Sequence, residues 1–321
     1  MKKKIIIFSG DPNSVNSELI YKSFIKLKKE IRKKVYLITN YELFKMQLKK
    51  LNYSLNLVKF DNSSKKINPN TLKVINVKLK FSDSFNVEKT EVKRFIKNSL
   101  NLSHKYGLKK DVSGIINCSI NKRLLDKKYL GVTEYFASKC KIKKNSEAML
   151  IYNENLSVSP VTTHIKLRNV SKKISSKLIF SKIMTINKEF LRIFHKKPKI
   201  AILGLNPHNA EYNKDSEEIK IILPALKKLK KSKISIFGPL VTDTVFIKDY
   251  LKYDVIVGMY HDQILTPFKS IYKFDAFNLT LGLKYLRVSP DHGTAVNLIG
   301  KNKANPISLI KCINFLNRFS S

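Results

Sequence analysis

The sequence predicts an α/β fold built on a parallel sheet. Short β-branched runs alternate with longer helical patterns along the chain, as parallel sheets with crossover helices require. The 321 residues suffice for two domains, and a hydrophobic fraction of 43% is enough to build their cores. Histidines recur at or just after strand ends, where open α/β sheets place their ligands.

Residues 4–8 form an apolar first strand, and Ser9-Gly10-Asp11-Pro12 turns the chain. A helix begins at Ser17-Glu18 and runs into Lys28 and Lys29; residues 35–39 form the next strand. Residues 53–90 read as strands and loops, with a strand at 72–77 and a polar turn at Asn62-Ser63-Ser64. Residues 88–107 fit a helix capped by Gly107. A strand follows at 114–120. After it, Asn121 and Lys122 fit either an anion-holding turn or a helix cap with a solvated lysine. Thr133 fits an N-cap or a ligand-facing hydroxyl.

Strands are expected at 148–152 and 158–165, the second ending in Val161-Thr162-Thr163-His164. A long amphipathic helix leads to Phe194. The strand 199–203 opens Gly204-Leu205-Asn206-Pro207-His208. Residues 217–230 fit a helix with Pro224 as an irregularity. After strand 234–237 and Gly238-Pro239-Leu240, a helix begins at Asp243-Thr244. Val255, Ile256 and Val257 form a strand ended by Gly258, with Tyr260, His261, Asp262, Gln263 and Lys269 beyond it. Residues 278–283, Arg287 and Asp291-His292-Gly293-Thr294-Ala295 precede a last helix from about Pro306. Each of His164, His208 and His261 alone fits a structural residue; three at equivalent positions suit a divalent transition metal.

The formal net charge is +38, from 62 Lys+Arg against 24 Asp+Glu. The lysines are spread over the whole chain, which reads as compositional bias. The resulting field attracts phosphorylated ligands. Cys118, Cys140 and Cys312 lack metal-type spacing and suit a reducing compartment. The apolar run after Lys2-Lys3-Lys4 is too short for a signal peptide, and no stretch is long enough to span a bilayer, so a cytoplasmic protein is expected. No Gly-x-Gly-x-x-Gly or P-loop pattern is present.

Several motifs resemble the 4-hydroxythreonine-4-phosphate dehydrogenase family of pyridoxal 5′-phosphate biosynthesis. They are Val161-Thr162-Thr163-His164 with Leu167-Arg168-Asn169-Val170; Gly204-Leu205-Asn206-Pro207-His208; Gly238-Pro239-Leu240 with Asp243-Thr244; Tyr260-His261-Asp262-Gln263; Asn278 with Thr280-Leu281-Gly282-Leu283; and Asp291-His292-Gly293-Thr294-Ala295. They run in family order from about Asn117 onward. Earlier residues match mainly through Gly10-Asp11-Pro12 and Glu18.

The resemblance implies two α/β/α domains with a cleft between them, similar to isocitrate and isopropylmalate dehydrogenases. A dinucleotide-side domain would comprise residues 1–130 and 285–321, and a metal, substrate and dimerisation domain residues 131–284. It implies a divalent metal (zinc, cobalt, manganese or magnesium) on His164, His208 and His261. The third histidine would come from the partner subunit of a homodimer. Thr133, Lys269, Asn278 and Arg287 would bind the phosphorylated substrate. Asp243 and Asp262 would join Lys269 in catalysis, or orient a histidine or a substrate amine, or form a salt bridge. Asp291, His292, Gly293, Thr294, Ala295 and Asn297 would face the adenosine end of NAD or NADP.

The implied activity is metal-dependent oxidation of 4-phosphooxy-L-threonine to a 3-oxo acid, which decarboxylates to 3-amino-2-oxopropyl phosphate. The chain departs from the family in three places. Val132 stands where a substrate-binding histidine is usual, Asn209-Ala210-Glu211-Tyr212-Asn213-Lys214-Asp215 replaces a glycine-rich segment, and the loop at Gly10-Asp11-Pro12 lacks its later glycine. Threonate or erythronate 4-phosphate is therefore an alternative substrate. An inactive basic protein that binds nucleic acid or membrane is the alternative of another class, opposed by the retained histidine, lysine, asparagine and arginine set.

Overall fold

The computed structural model describes residues 3–61, 67–126, 129, 131–143 and 146–320. The turn expected at Asn62-Ser63-Ser64 lies outside them. Two compact units are present: Met1–Lys139 with Lys284–Ser321, and Cys140–Leu283.

The first unit runs β1 (Lys4–Phe8), α1 (Asn16–Lys26), α2 (Lys29–Arg32), β2 (Val35–Thr39), α3 (Tyr41–Lys50), β3 (Asn56–Lys59), β4 (Thr71–Asn76), α4 (Lys89–Gly107), β5 (Val112–Asn117) and α5 (Val132–Lys139). The second runs β6 (Ala148–Tyr152), β7 (Ser157–Thr162), α6 (Val170–Lys173), α7 (Ser176–Phe194), β8 (Ile200–Leu203), α8 (Leu223–Lys231), β9 (Ile236–Leu240), α9 (Thr242–Val245), β10 (Val255–Tyr260), α10 (His261–Tyr272) and β11 (Phe277–Leu281). The chain then returns to the first unit with β12 (Arg287–Pro290) and α11 (Ile307–Asn317).

In the first unit the strand order is β3-β4-β2-β1-β5-β12, parallel throughout. Ile5, Ile6, Ile7 and Phe8 are all buried, the mark of a strand covered on both faces. Helix α4 packs Val92, Phe95, Ile96 and Leu100 inward at helical spacing. Gly107 is the last residue of that helix rather than its cap. A Cβ there would come within 2.9 Å of the Tyr285 ring, so close packing is the reason for glycine.

In the second unit the order is β11-β6-β7-β10-β8-β9. The β7, β10, β8 and β9 strands are parallel, while β6 is antiparallel to both its neighbours. The connection from Tyr152 to Ser157 is too short for a crossover, so β6 and β7 must form a hairpin. Its turn is closed by Asn155 N–H donating to Asn153 Oδ1 at 3.0 Å. Strand β10 continues through Gly258 to Tyr260. At Gly258 a Cβ would lie 2.4 Å from Ile264 Cγ2 and 2.9 Å from Gln263 Oε1, so glycine admits α10 against the strand.

Pro224 is the second residue of α8, which continues directly from a π-helical turn at Glu218–Ile222, the irregularity expected at this proline. Helix α7 is capped by Ser175, whose hydroxyl accepts from Leu178 N–H, and buries Ile179, Ile183, Ile186, Phe190 and Ile193. No helix among the described residues is long and apolar enough to cross a membrane.

Candidate active site

In the second unit, the carboxyl ends of β7 and β10 bring two of the three candidate histidines together. Tyr260 pairs with Thr162 across these parallel strands. His261 is the first residue of α10, and His164 lies two residues past β7 with φ at 50°. Their ring centroids are 5.5 Å apart. His261 Nδ1 lies 2.8 Å from Asp262 Oδ1, a pairing in which the carboxylate holds the Nδ1 proton and leaves Nε2 as an electron-pair donor. This donor set suits a divalent ion. His208 is exposed, in a run from His208 to Tyr212 whose φ values are all positive. Among the described residues no three His, Cys, Asp or Glu side chains form a metal-binding group.

The loop carrying His208 is fixed from below by a residue the sequence did not single out. Glu218 is fully buried. Its Oε1 accepts from the backbone N–H groups of Leu205 at 2.7 Å and Asn206 at 2.9 Å, and Oε2 accepts from Asn206 Nδ2 at 2.9 Å. Burial alone raises the Glu218 pKa, but these hydrogen bonds outweigh it and hold the carboxyl below its ordinary value. Asn209 Nδ2 donates to Pro239 O at 3.1 Å, tying the same loop to β9.

Asp243 is exposed at the start of α9, Asp262 is exposed beside His261, and Lys269 is exposed two turns along α10. Asn278 lies in β11, and its Oδ1 is buried without a hydrogen-bond partner among the described residues.

In the first unit, Thr133 and Arg287 are in direct contact. Arg287 is 3% exposed. Its Nε donates to Asn117 Oδ1 at 2.5 Å and Nη1 to Thr133 Oγ1 at 3.1 Å, with the guanidinium 5.9 Å from the Phe136 ring centroid. Burial lowers the Arg287 pKa to about 10. Thr133 is thus inside α5, with its hydroxyl committed to a cation rather than to capping. Asn121 does cap a turn, accepting from Arg123 N–H at 3.1 Å.

The segment after β12 lies on the first unit's own strand ends. Ser119 Oγ donates to Gly293 O at 2.9 Å, Val15 N–H to Thr294 O at 3.0 Å, and Asp291 N–H to Ser308 Oγ at 2.8 Å. Ala295 is left-handed, with φ at 41°, and Asn297 is exposed in the short turn that follows. A Cβ on Gly293 would meet nothing within 4 Å. His292 Nε2 is buried and has no hydrogen-bond partner among the described residues, and burial lowers the ring's pKa, keeping it neutral at pH 7. A neutral imidazole beside an open backbone suits a polar ligand such as a dinucleotide.

The sequence profile of pyridoxal phosphate biosynthetic protein PdxA matches residues 30–316. The chain belongs to this family. It is 37% identical to the 4-hydroxythreonine-4-phosphate dehydrogenase of a Sulfurihydrogenibium species, over 97% of this chain and 96% of that one. Among solved structures, the family member 4-hydroxythreonine-4-phosphate dehydrogenase from Klebsiella pneumoniae aligns with a TM-score of 0.85 and 28% identity, over 99% of this chain and 100% of that chain. Isocitrate dehydrogenase from Methylococcus capsulatus aligns with a TM-score of 0.50 at 11% identity, over 98% of this chain and 85% of that chain. That last likeness bears on the fold alone, and it agrees with the fold class the sequence predicted.

Proposed function

We propose that this chain is a metal-dependent 4-hydroxythreonine-4-phosphate dehydrogenase acting in pyridoxal 5′-phosphate biosynthesis. The observation that carries the reading is the pair of imidazoles, His164 and His261, 5.5 Å apart at neighbouring strand ends in a member of this family. The substrate loses the proton of its 3-hydroxyl and a hydride from the same carbon. The 3-oxo acid then loses CO2 and takes up a proton to give 3-amino-2-oxopropyl phosphate. A nicotinamide cofactor, NAD or NADP, supplies the hydride acceptor, and zinc, cobalt, manganese or magnesium supplies Lewis acidity at His164, His208 and His261.

The remaining work belongs to the chain's own side chains. Lys269 offers a point charge and Arg287 a planar fork to the substrate's anionic groups. Thr133 holds the Arg287 fork in place, and Asn278 offers the buried Oδ1 that has no partner among the described residues. Asp262 keeps His261 in one tautomer, while Asp243 and Lys269 are the further proton carriers. Asp291, His292, Gly293, Thr294, Ala295 and Asn297 receive the cofactor. As the family resemblance implies, one of the three histidine ligands comes from a second copy, making the active form a cytoplasmic homodimer with its active site at the subunit interface.

The test measures NADH and NADPH formation by purified protein with 4-phosphooxy-L-threonine, and with threonate and erythronate 4-phosphates beside it. Metal-dependent turnover of the first substrate, preferred at least tenfold over the others, is expected. Preference for either phosphorylated sugar acid overturns the substrate and keeps the chemistry.

A further inference from the structure

We propose that Gln263 is the positioning residue that sets His208, Asp243 and His261 relative to one another. The inference rests on the metal reading above and goes beyond it, because Gln263 is none of the proposed ligands.

The side chain is 7% exposed, on the face of α10 that lies against the strand ends. Its amide is fully used. Oε1 accepts from Met259 N–H at 2.6 Å. Nε2 donates to Gly204 O at 2.6 Å and to Thr242 Oγ1 at 3.0 Å. The three partners belong to three separate segments. Met259 is two residues before His261, Gly204 opens the loop to His208, and Thr242 is next to Asp243.

One amide therefore joins the ends of β10 and β8 to the start of α9. Its orientation is fixed by chemistry. Flipped, it would set an NH2 against the Met259 N–H and an oxygen against the Gly204 carbonyl. Room for it is made by Gly258, where a Cβ would come within 2.9 Å of Gln263 Oε1. A polar side chain buried among strand ends persists only when its hydrogen bonds are satisfied, and here both donors are placed. Outer groups that orient metal ligands typically govern metal affinity by about 10- to 100-fold.

The experiment uses full-length protein loaded with cobalt, as wild type, Gln263→Glu and Gln263→Met. Glutamate keeps the size and the acceptor for Met259 N–H but turns an oxygen toward Gly204 O. Methionine removes all three hydrogen bonds at similar volume. Three quantities are read: cobalt affinity with its visible absorption band, NADH affinity, and amide hydrogen exchange across residues 204–213.

Both variants are expected to lose cobalt affinity about 10-fold or more, with a changed band. They are also expected to exchange faster across residues 204–213 and to keep NADH affinity within about twofold. A folded variant with wild-type cobalt affinity, band and loop exchange overturns the proposal. If both ligand affinities fall together, Gln263 serves general stability and the proposal is likewise overturned. If wild-type protein binds no cobalt, the metal reading fails by itself, and loop exchange alone decides the inference: faster in Gln263→Glu supports it, unchanged overturns it.

Discussion

Replacing Arg287 with methionine should remove substrate binding while leaving the fold almost untouched. The guanidinium is buried, and burial lowers its pKa more than two units below the ordinary arginine value, to about 10. At about 1.4 kcal/mol per pH unit, that is roughly 3 kcal/mol of lost solvation borne by the native state. Because burial depresses the pKa of a base, this cost is present at every pH below about 10 and is relieved only as pH rises through that value. Arg287→Met relieves it at pH 7.

Against that relief, Asn117 Oδ1 loses its 2.5 Å donor, at about 1–3 kcal/mol, Thr133 Oγ1 loses its 3.1 Å donor, at about 1 kcal/mol, and the contact with the Phe136 ring loses about 1 kcal/mol. The two sides balance to within about 2 kcal/mol, a Tm change of no more than about 8 °C for a domain of this size. An anionic substrate deprived of the fork loses about 3–4 kcal/mol of binding, roughly 100- to 1000-fold in kcat/KM. Thermal unfolding without ligands and steady-state NADH formation measure the two quantities. A Tm fall beyond about 15 °C with kcat/KM unchanged would mean that Arg287 is a structural cation, and would refute the reasoning.

Other perturbations follow from the same geometry. Glu218→Gln should cost about 2 kcal/mol at pH 7, because a depressed carboxyl pKa contributes stability above its unfolded value. The difference from wild type in urea unfolding should shrink as pH falls below about 4.5, the ordinary value for this group. Gly258→Ala should destabilise by about 1–3 kcal/mol, since the new methyl would press on Ile264 and Gln263; chemical denaturation measures it. His292→Phe should weaken NADH binding about 3- to 10-fold by fluorescence titration, the worth of one lost hydrogen bond, with cobalt affinity unchanged.

The parallel strands were legible because they are buried on both faces and read as continuous apolar runs, as at Ile5, Ile6 and Ile7. The histidines at strand ends were legible for the same reason, since the strands fix where the ligand-facing turns begin. The supports beneath them were not. Glu218 sits in a helical stretch where a polar residue reads as solvent-facing, and Gln263 was legible only as one member of a strand-end cluster; only the fold shows both side chains turned inward. Gly258 and Gly107 read as breaks because glycine usually is one. Here each stays inside its element, because another side chain occupies the space of a Cβ. The contact between Thr133 and Arg287 joins residues 154 positions apart, beyond any local pattern.

The central claim is metal-dependent hydride transfer at the paired histidines. Its most direct test is NADH formation from 4-phosphooxy-L-threonine by metal-stripped protein, before and after adding zinc, cobalt, manganese or magnesium, with His261→Ala and His208→Ala alongside. Turnover should appear on adding metal, be lost in both variants, and release one CO2 for each NADH. Equal turnover by stripped protein, or a His261→Ala enzyme as active as wild type, would contradict it.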